Sequence, residues 1–171
     1  MHKKMNTSKK IGRLTLLKHC IIFVGVVLSI PVIIELVDNK SPNIIRAVKE
    51  AFKLNTLDSS DAIFILIHLT VLLIGVWFFG GKAGQLIIDQ EKSKFIIGFM
   101  SIFKLWILHF ISGTVLQLIE NDLPLTGWFM SGLLLILLVG LIHGLIAGYF
   151  LTKEIKRKGQ IIKKTLAKTE N

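Results

Sequence analysis

The side chains whose types could support chemistry lie inside a long apolar run. Residues 95–119 are mostly apolar, yet they carry Lys104 and His109. An ionisable group in hydrocarbon needs a partner, water or a function. Seen along the helix axis, Ser101 and Ser112 fall in the angular sector between Lys104 and His109. The run could therefore line a water-filled path for ions or protons, or a ligand site.

The possible polar path comprises four residues: Ser101, Lys104, Ser112 and His143. Lys104 also has a purely structural interpretation, in which its aliphatic stem carries the ammonium toward the cytoplasmic interface. Lys104 and His109 are separated by about 140° around a helix, so they do not point at the same partner. Both interpretations of Lys104 stay open at this point.

Three histidines fall within apolar runs and invite a cofactor hypothesis. If successive runs cross a membrane in opposite directions, His68 and His109 lie at matching depths and could meet. Lys104 and His143 would then form a second pair at a different, matching depth in the membrane. Paired histidines can bind haem or a metal or relay protons, so His68 and His109 are candidate haem ligands. The hypothesis favoured by the sequence needs no cofactor or metal.

Small residues at four-residue spacing indicate where helices approach closely. Gly140, Gly144 and Gly148 form one ridge, and Gly25 and Ser29 form a shorter face of the same kind. Small residues let membrane helices pack backbone to backbone. The glycine ridge therefore predicts tight packing, either within the chain or against a second copy.

Clustering of apolar residues fixes the class of protein. Of the 171 residues, 52% are hydrophobic, and the net charge is +10. The apolar residues fall in four blocks, each about long enough to cross a ~30 Å hydrocarbon core as a helix. The predicted spans are 20–37, 62–79, 95–119 and 128–152. A basic arm (1–18) and a basic tail (153–171) flank a single transmembrane domain (19–152).

Insertion of the third span is favourable despite its lysine. A central Lys costs roughly 2.5–3.5 kcal/mol on insertion scales. Residues 95–118 contain fourteen Leu, Ile, Phe and Val, which together return roughly 4–8 kcal/mol. The balance favours a transmembrane helix.

The connections between spans are short, which favours an up-down four-helix bundle in an all-α integral membrane protein. The first loop contains apolar residues at helical spacing from Ile44 to Phe52, which predicts a short amphipathic helix. It would lie in the headgroup region or over the loop ends of the bundle. Gly80 and Gly81 are expected to end the second helix, with a polar loop at 82–94.

Basic residues predict the orientation. The arm, the 82–94 loop and the tail hold most of the 21 Lys and Arg, whereas the loop 120–127 holds none. Positive residues stay on the cytoplasmic side of a membrane. We therefore expect both termini in the cytoplasm, at the inner cell membrane, beside anionic lipids.

Several functional classes lack support in the sequence. A single cysteine, Cys20, excludes an intramolecular disulfide and a CxxC redox pair. P-loop, GxGxxG, HExxH and GxSxG motifs are absent, so we expect no catalytic residues and no enzyme. No aromatic residue interleaves the basic ones, so we expect no nucleic-acid partner.

In size and layout, the chain resembles holins, bacteriocin-immunity proteins and the small membrane accessory proteins of phage-defence and CRISPR loci. The resemblance is one of architecture and transfers no residue roles. It implies a bacterial accessory, immunity or modulatory subunit that acts through helix contacts with another membrane protein or with itself. The alternatives are an oligomeric pore or membrane-perturbing component, such as the membrane accessory of a phage-defence or CRISPR system, and a His-ligated haem protein.

Overall fold

The computed structural model describes residues 2–38, 44–53, 59–92, 95–120, 131–134 and 136–169. Every regular element in these ranges is helical. The elements are α1 (His2–Asp38), α2 (Ile44–Ala51), α3 (Ser59–Gly75), π1 (Val76–Gly80), α4 (Gly81–Gly84), π2 (Gln85–Asp89), α5 (Phe95–Glu120), π3 (Ile136–Gly140) and α6 (Leu141–Thr169). Residues 131–134 are helical as well. The loop predicted at 120–127 lies almost wholly outside the described residues.

Within the described ranges, four helical stretches are long and apolar enough to cross a membrane: Asn6–Val37, Ala62–Asp89, Phe95–Leu116 and Ser131–Thr165. The predicted all-α class with four such helices is therefore confirmed. The short helix expected in the first loop is present as α2. It ends in a turn where Lys53 adopts a φ of 46°, in the left-handed region.

The second apolar helix does not end at its glycine pair, contrary to the sequence prediction. Gly80 and Gly81 keep right-handed helical angles, and the helix continues as α4 and π2 to Asp89. The polar connection before α5 is correspondingly shorter than 82–94. Backbone packing explains the difference: a Cβ atom on Gly80 would lie 2.9 Å from Cα of Arg13, so glycine is needed for contact rather than for termination.

Contacts divide the chain into two compact units. Unit 1 comprises Met1–Leu17 and His68–Asn171, and unit 2 comprises Lys18–Ile67. In unit 2, the stretch 24–30 of α1 is exposed throughout. Pro31 lies within the same helix.

In unit 1, α5 runs antiparallel to both of its neighbours. Gly75 faces Leu105 and Leu108, whereas His68 faces His109 further along α5. On the other side, Gly98 of α5 faces residue 148 of α6, and Trp106 faces residue 140. The largest fully buried apolar side chains among the described residues of this unit are Leu16, Ile102, Leu151 and Ile155.

Candidate functional site

One end of unit 1 brings together three segments that are far apart in sequence. We call this the polar end; its segments are 8–17 of α1, 80–92 and 151–163 of α6. The hydroxyl of Ser8 donates to Asp89, and Lys158 donates to the hydroxyl of Thr15 over 3.3 Å. Lys158 also forms an ion pair of 2.9 Å with Glu154. The bond between Lys158 and Thr15 joins α1 to α6, and the bond between Ser8 and Asp89 joins α1 to π2.

Backbone contact underlies the polar end. A Cβ atom on Gly12 would lie 2.0 Å from the carbonyl oxygen of Gly80, and one on Gly84 would lie 2.1 Å from the carbonyl oxygen of Ser8. No side chain fits between these helices, so the two backbones touch. Sequence reasoning missed this crossing, although small residues at four-residue spacing marked it: Ser8 with Gly12, and Gly80 with Gly84.

Arg13 is held beside this crossing by two interactions with one residue. Its Nε donates to the carbonyl oxygen of Trp77 over 3.1 Å, and its Cζ lies 3.5 Å from the centre of the Trp77 ring. A guanidinium over an indole face is a favourable cation–π arrangement. Arg13, which the sequence placed only in a basic arm, therefore has a defined structural position.

The glycine ridge lies against α5 of the same chain. Cβ atoms added to Gly140 and Gly144 would lie 3.2 Å from Trp106 and 3.1 Å from the ring of Phe99. On Gly148 the added atom would lie 2.5 Å from the backbone nitrogen of Phe99. The contact changes along the ridge from side chain to backbone, so the helices are closest at Gly148.

His68 and His109 do meet. Their ring centroids are 5.9 Å apart with the planes inclined by 55°, and Nδ1 of His109 lies 3.1 Å from the carbonyl oxygen of Leu105. Two imidazoles supply two ligand atoms, and a bound metal ion needs more. Within the described part of the chain, no group of three or more His, Cys, Asp or Glu could hold a metal.

The four residues of the possible polar path have different surroundings. Ser101 and Ser112 donate to carbonyl oxygens of their own helix, at residues 97 and 109. His143 accepts a hydrogen bond from Trp106. Lys104 is exposed and lines a groove that also contains Ser101. Structural hydrogen bonds thus account for both serine hydroxyls and for one ring nitrogen of His143.

Comparison with known proteins identifies no relative: no family profile, curated protein or solved structure matches the chain. The class supported by the structure is therefore the coarse one, an all-helical protein with four helices capable of crossing a membrane. Any function has to be argued from the contacts themselves.

Proposed function

We propose that the chain is a small multi-pass protein of the cell membrane, without a catalytic site, that acts as an accessory, immunity or modulatory subunit. In this proposal its helices bind another membrane protein or a second copy of the chain. The four apolar helices support membrane insertion. Large exposed side chains along them, such as Ile30, Leu66 and Ile142, would face lipid or a partner.

The exposed face of α1 in unit 2 carries the proposal. A Cβ atom on Gly25 would meet no atom within 4 Å among the described residues of its own unit. The hydroxyl of Ser29, one turn away, donates to the carbonyl oxygen of Val26 in the same helix. The Gly25–Ser29 face therefore presents only small side chains to a neighbouring helix. In contrast, the 140–148 ridge already packs against α5. The Gly25–Ser29 face therefore suits a partner helix best.

The polar end supports the proposed orientation. Residues of the basic arm, of the connection after Asp89 and of the basic tail lie together there: Ser8 bonds to Asp89, Thr15 to Lys158, and Glu91 to Lys163. These are the three segments that the basic residues assign to the cytoplasm. We therefore propose that both termini are cytoplasmic.

The experiment compares two leucine substitutions on one helix. Gly25→Leu fills the proposed contact face, whereas Val27→Leu adds bulk about 200° away around the helix. Each variant is extracted in mild detergent, and native mass spectrometry measures the mass of the particles. We expect the wild-type chain and Val27→Leu to exceed the single-chain mass of 19.2 kDa, and Gly25→Leu to fall to it.

The measured masses also identify the partner class. Multiples of 19.2 kDa indicate self-association, and other masses indicate a different protein. A wild-type chain found only as a monomer would contradict the proposal, as would equal masses for the two variants. Reporter fusions at each terminus check the orientation, because an enzyme active only outside the cytoplasm should stay inactive at both ends.

A further inference from the structure

Two lysines line one groove between neighbouring helices of unit 1. The groove, of about 160 Å³, lies between the end of the second apolar helix and the beginning of α5. Lys82 and Lys104 provide its charged groups, and its walls include Phe79, Leu86 and Met100. We call it the lysine groove. Neither the polar path nor the glycine contacts explains why two cations share one apolar groove.

Charge is the main property of the lysine groove. Its lining contains two ammonium groups and no carboxylate. In the described part of the chain, no acidic side chain forms an ion pair with Lys82 or Lys104. Like charges at a shared low-dielectric site repel each other, so an anion between them would be favoured strongly.

The depth of the two lysines matches a lipid headgroup and its glycerol region. Ala62 begins the second apolar helix, and Lys82 lies twenty residues further on, about 30 Å along the helix axis. This distance is the thickness of the hydrocarbon core, so Lys82 reaches the interface on the side of the polar end. Gly75 faces Leu105 and Leu108, and the same antiparallel register places Lys82 level with residues 98–101. Lys104 is therefore about one turn deeper than Lys82, and flexible stems let both ammonium groups reach one anion.

The apolar walls determine which anion fits. A free phosphate ion is fully hydrated and gains nothing from Phe79, Leu86 or Met100. A phospholipid presents an anionic phosphate and acyl chains together, and the exposed side chain of Ile96 adds to the apolar lining of the groove. Basic pockets between membrane helices on the cytoplasmic side are suited to anionic headgroups.

We propose that the lysine groove binds an anionic phospholipid, with its phosphate between the ammonium groups of Lys82 and Lys104 and its acyl chains along the apolar walls. The site rests on the proposed membrane insertion. It is independent of the Gly25–Ser29 contact, and it gives Lys104, with its ammonium group near the interface, a binding role in place of a path-lining one.

The test uses the full-length protein in detergent with added phosphatidylglycerol or phosphatidylcholine. Native mass spectrometry measures the fraction of protein that retains a lipid. We expect preferential retention of phosphatidylglycerol by the wild-type chain. The double variant Lys82→Gln/Lys104→Gln should bind it about tenfold more weakly. The control Lys10→Gln/Lys164→Gln removes the same charge from two exposed positions outside the groove and should bind as the wild type does.

Three results would overturn the proposal. They are equal retention of the two lipids, equal loss of binding in the two double variants, and displacement of phosphatidylglycerol by millimolar inorganic phosphate. Glutamine at position 104 lowers the cost of insertion, so the variant should still reach the membrane. Alkaline extraction of membranes checks insertion separately, and a soluble wild-type chain would contradict the proposed function rather than the lipid site alone.

Discussion

The indole Nε1 of Trp106 donates a hydrogen bond of 3.0 Å to Nδ1 of His143 and so joins α5 to α6. Indole nitrogen is only a donor, so Nδ1 must carry no proton, and the neutral ring then has its proton on Nε2. The ring planes are inclined by 84°, so the two rings are nearly perpendicular. His143 is thereby held in one tautomer and one orientation.

Trp106→Phe should weaken the contact between α5 and α6. The substitution keeps an aromatic ring beside Gly140 but removes the donor to His143. Interhelical hydrogen bonds in membranes contribute about 0.6–2 kcal/mol, and we expect a loss of stability in this range. Denaturation of the protein in mixed micelles by SDS measures it. If Trp106→Phe and His143→Leu have strictly additive effects, the two residues are not coupled.

Gly148→Ala should destabilise the protein, whereas Gly25→Ala should not. The added methyl group would lie 2.5 Å from the backbone nitrogen of Phe99 in the first case, and α5 and α6 must separate. Overpacking of this kind costs about 1–3 kcal/mol. At Gly25 the same methyl group meets open space within its own unit. Thermal unfolding in detergent compares the two, and equal melting temperatures would contradict the close approach at Gly148.

Cysteines at positions 8 and 89 should form a disulfide bond under mild oxidation. Ser8→Cys and Asp89→Cys replace two side chains that are joined by a hydrogen bond, in a Cys20→Ser background that removes the native thiol. Gly84→Leu should abolish the bond, because its side chain would collide with the backbone at Ser8. Mobility on non-reducing gels reports the crosslink. Crosslinking that persists in the leucine variant would mean that the two backbones are not in contact.

The haem hypothesis predicts a visible absorption spectrum, and our proposed function predicts none. His68 and His109 lie with their rings 5.9 Å apart, and Nδ1 of His109 already contacts the carbonyl oxygen of Leu105. We therefore expect protein purified from haem-supplemented cells to show no Soret band. A Soret band lost on His109→Ala but kept on His143→Ala would instead support haem ligation by the pair.

The spans were predictable because they depend on local composition. Apolar blocks of sufficient length are visible in the sequence, and the described residues contain four helices that are long and apolar enough to cross a membrane. The end of the second helix was predicted wrongly, because a pair such as Gly80 and Gly81 can either end a helix or allow close contact with another helix. The local sequence is the same in both cases. A glycine pair ends a helix when no neighbour is present, and it accepts a second backbone when one is. Only the position of α1 against Gly80 shows which of these two roles the glycine pair has.

The polar end was not predictable for a related reason. The basic arm was interpreted only through its lysines, as a signal of membrane orientation. The four-residue spacing of Ser8 and Gly12 in the same stretch was therefore not recognised as a helix-contact pattern. Its partners, at Gly84 and Asp89, are more than 70 residues away in the sequence. The shared groove of Lys82 and Lys104 depends likewise on the register between two helices, which neither helix determines by itself.

The bonds of the polar end also constrain the order in which the molecule can be completed. Ser8 is 81 residues from Asp89, and Thr15 is 143 residues from Lys158. Contacts across such long stretches form late, because the intervening chain must first be made and closed into a loop. The polar contacts of α1 are therefore complete only after α6, which is synthesised much later, has been added to the chain.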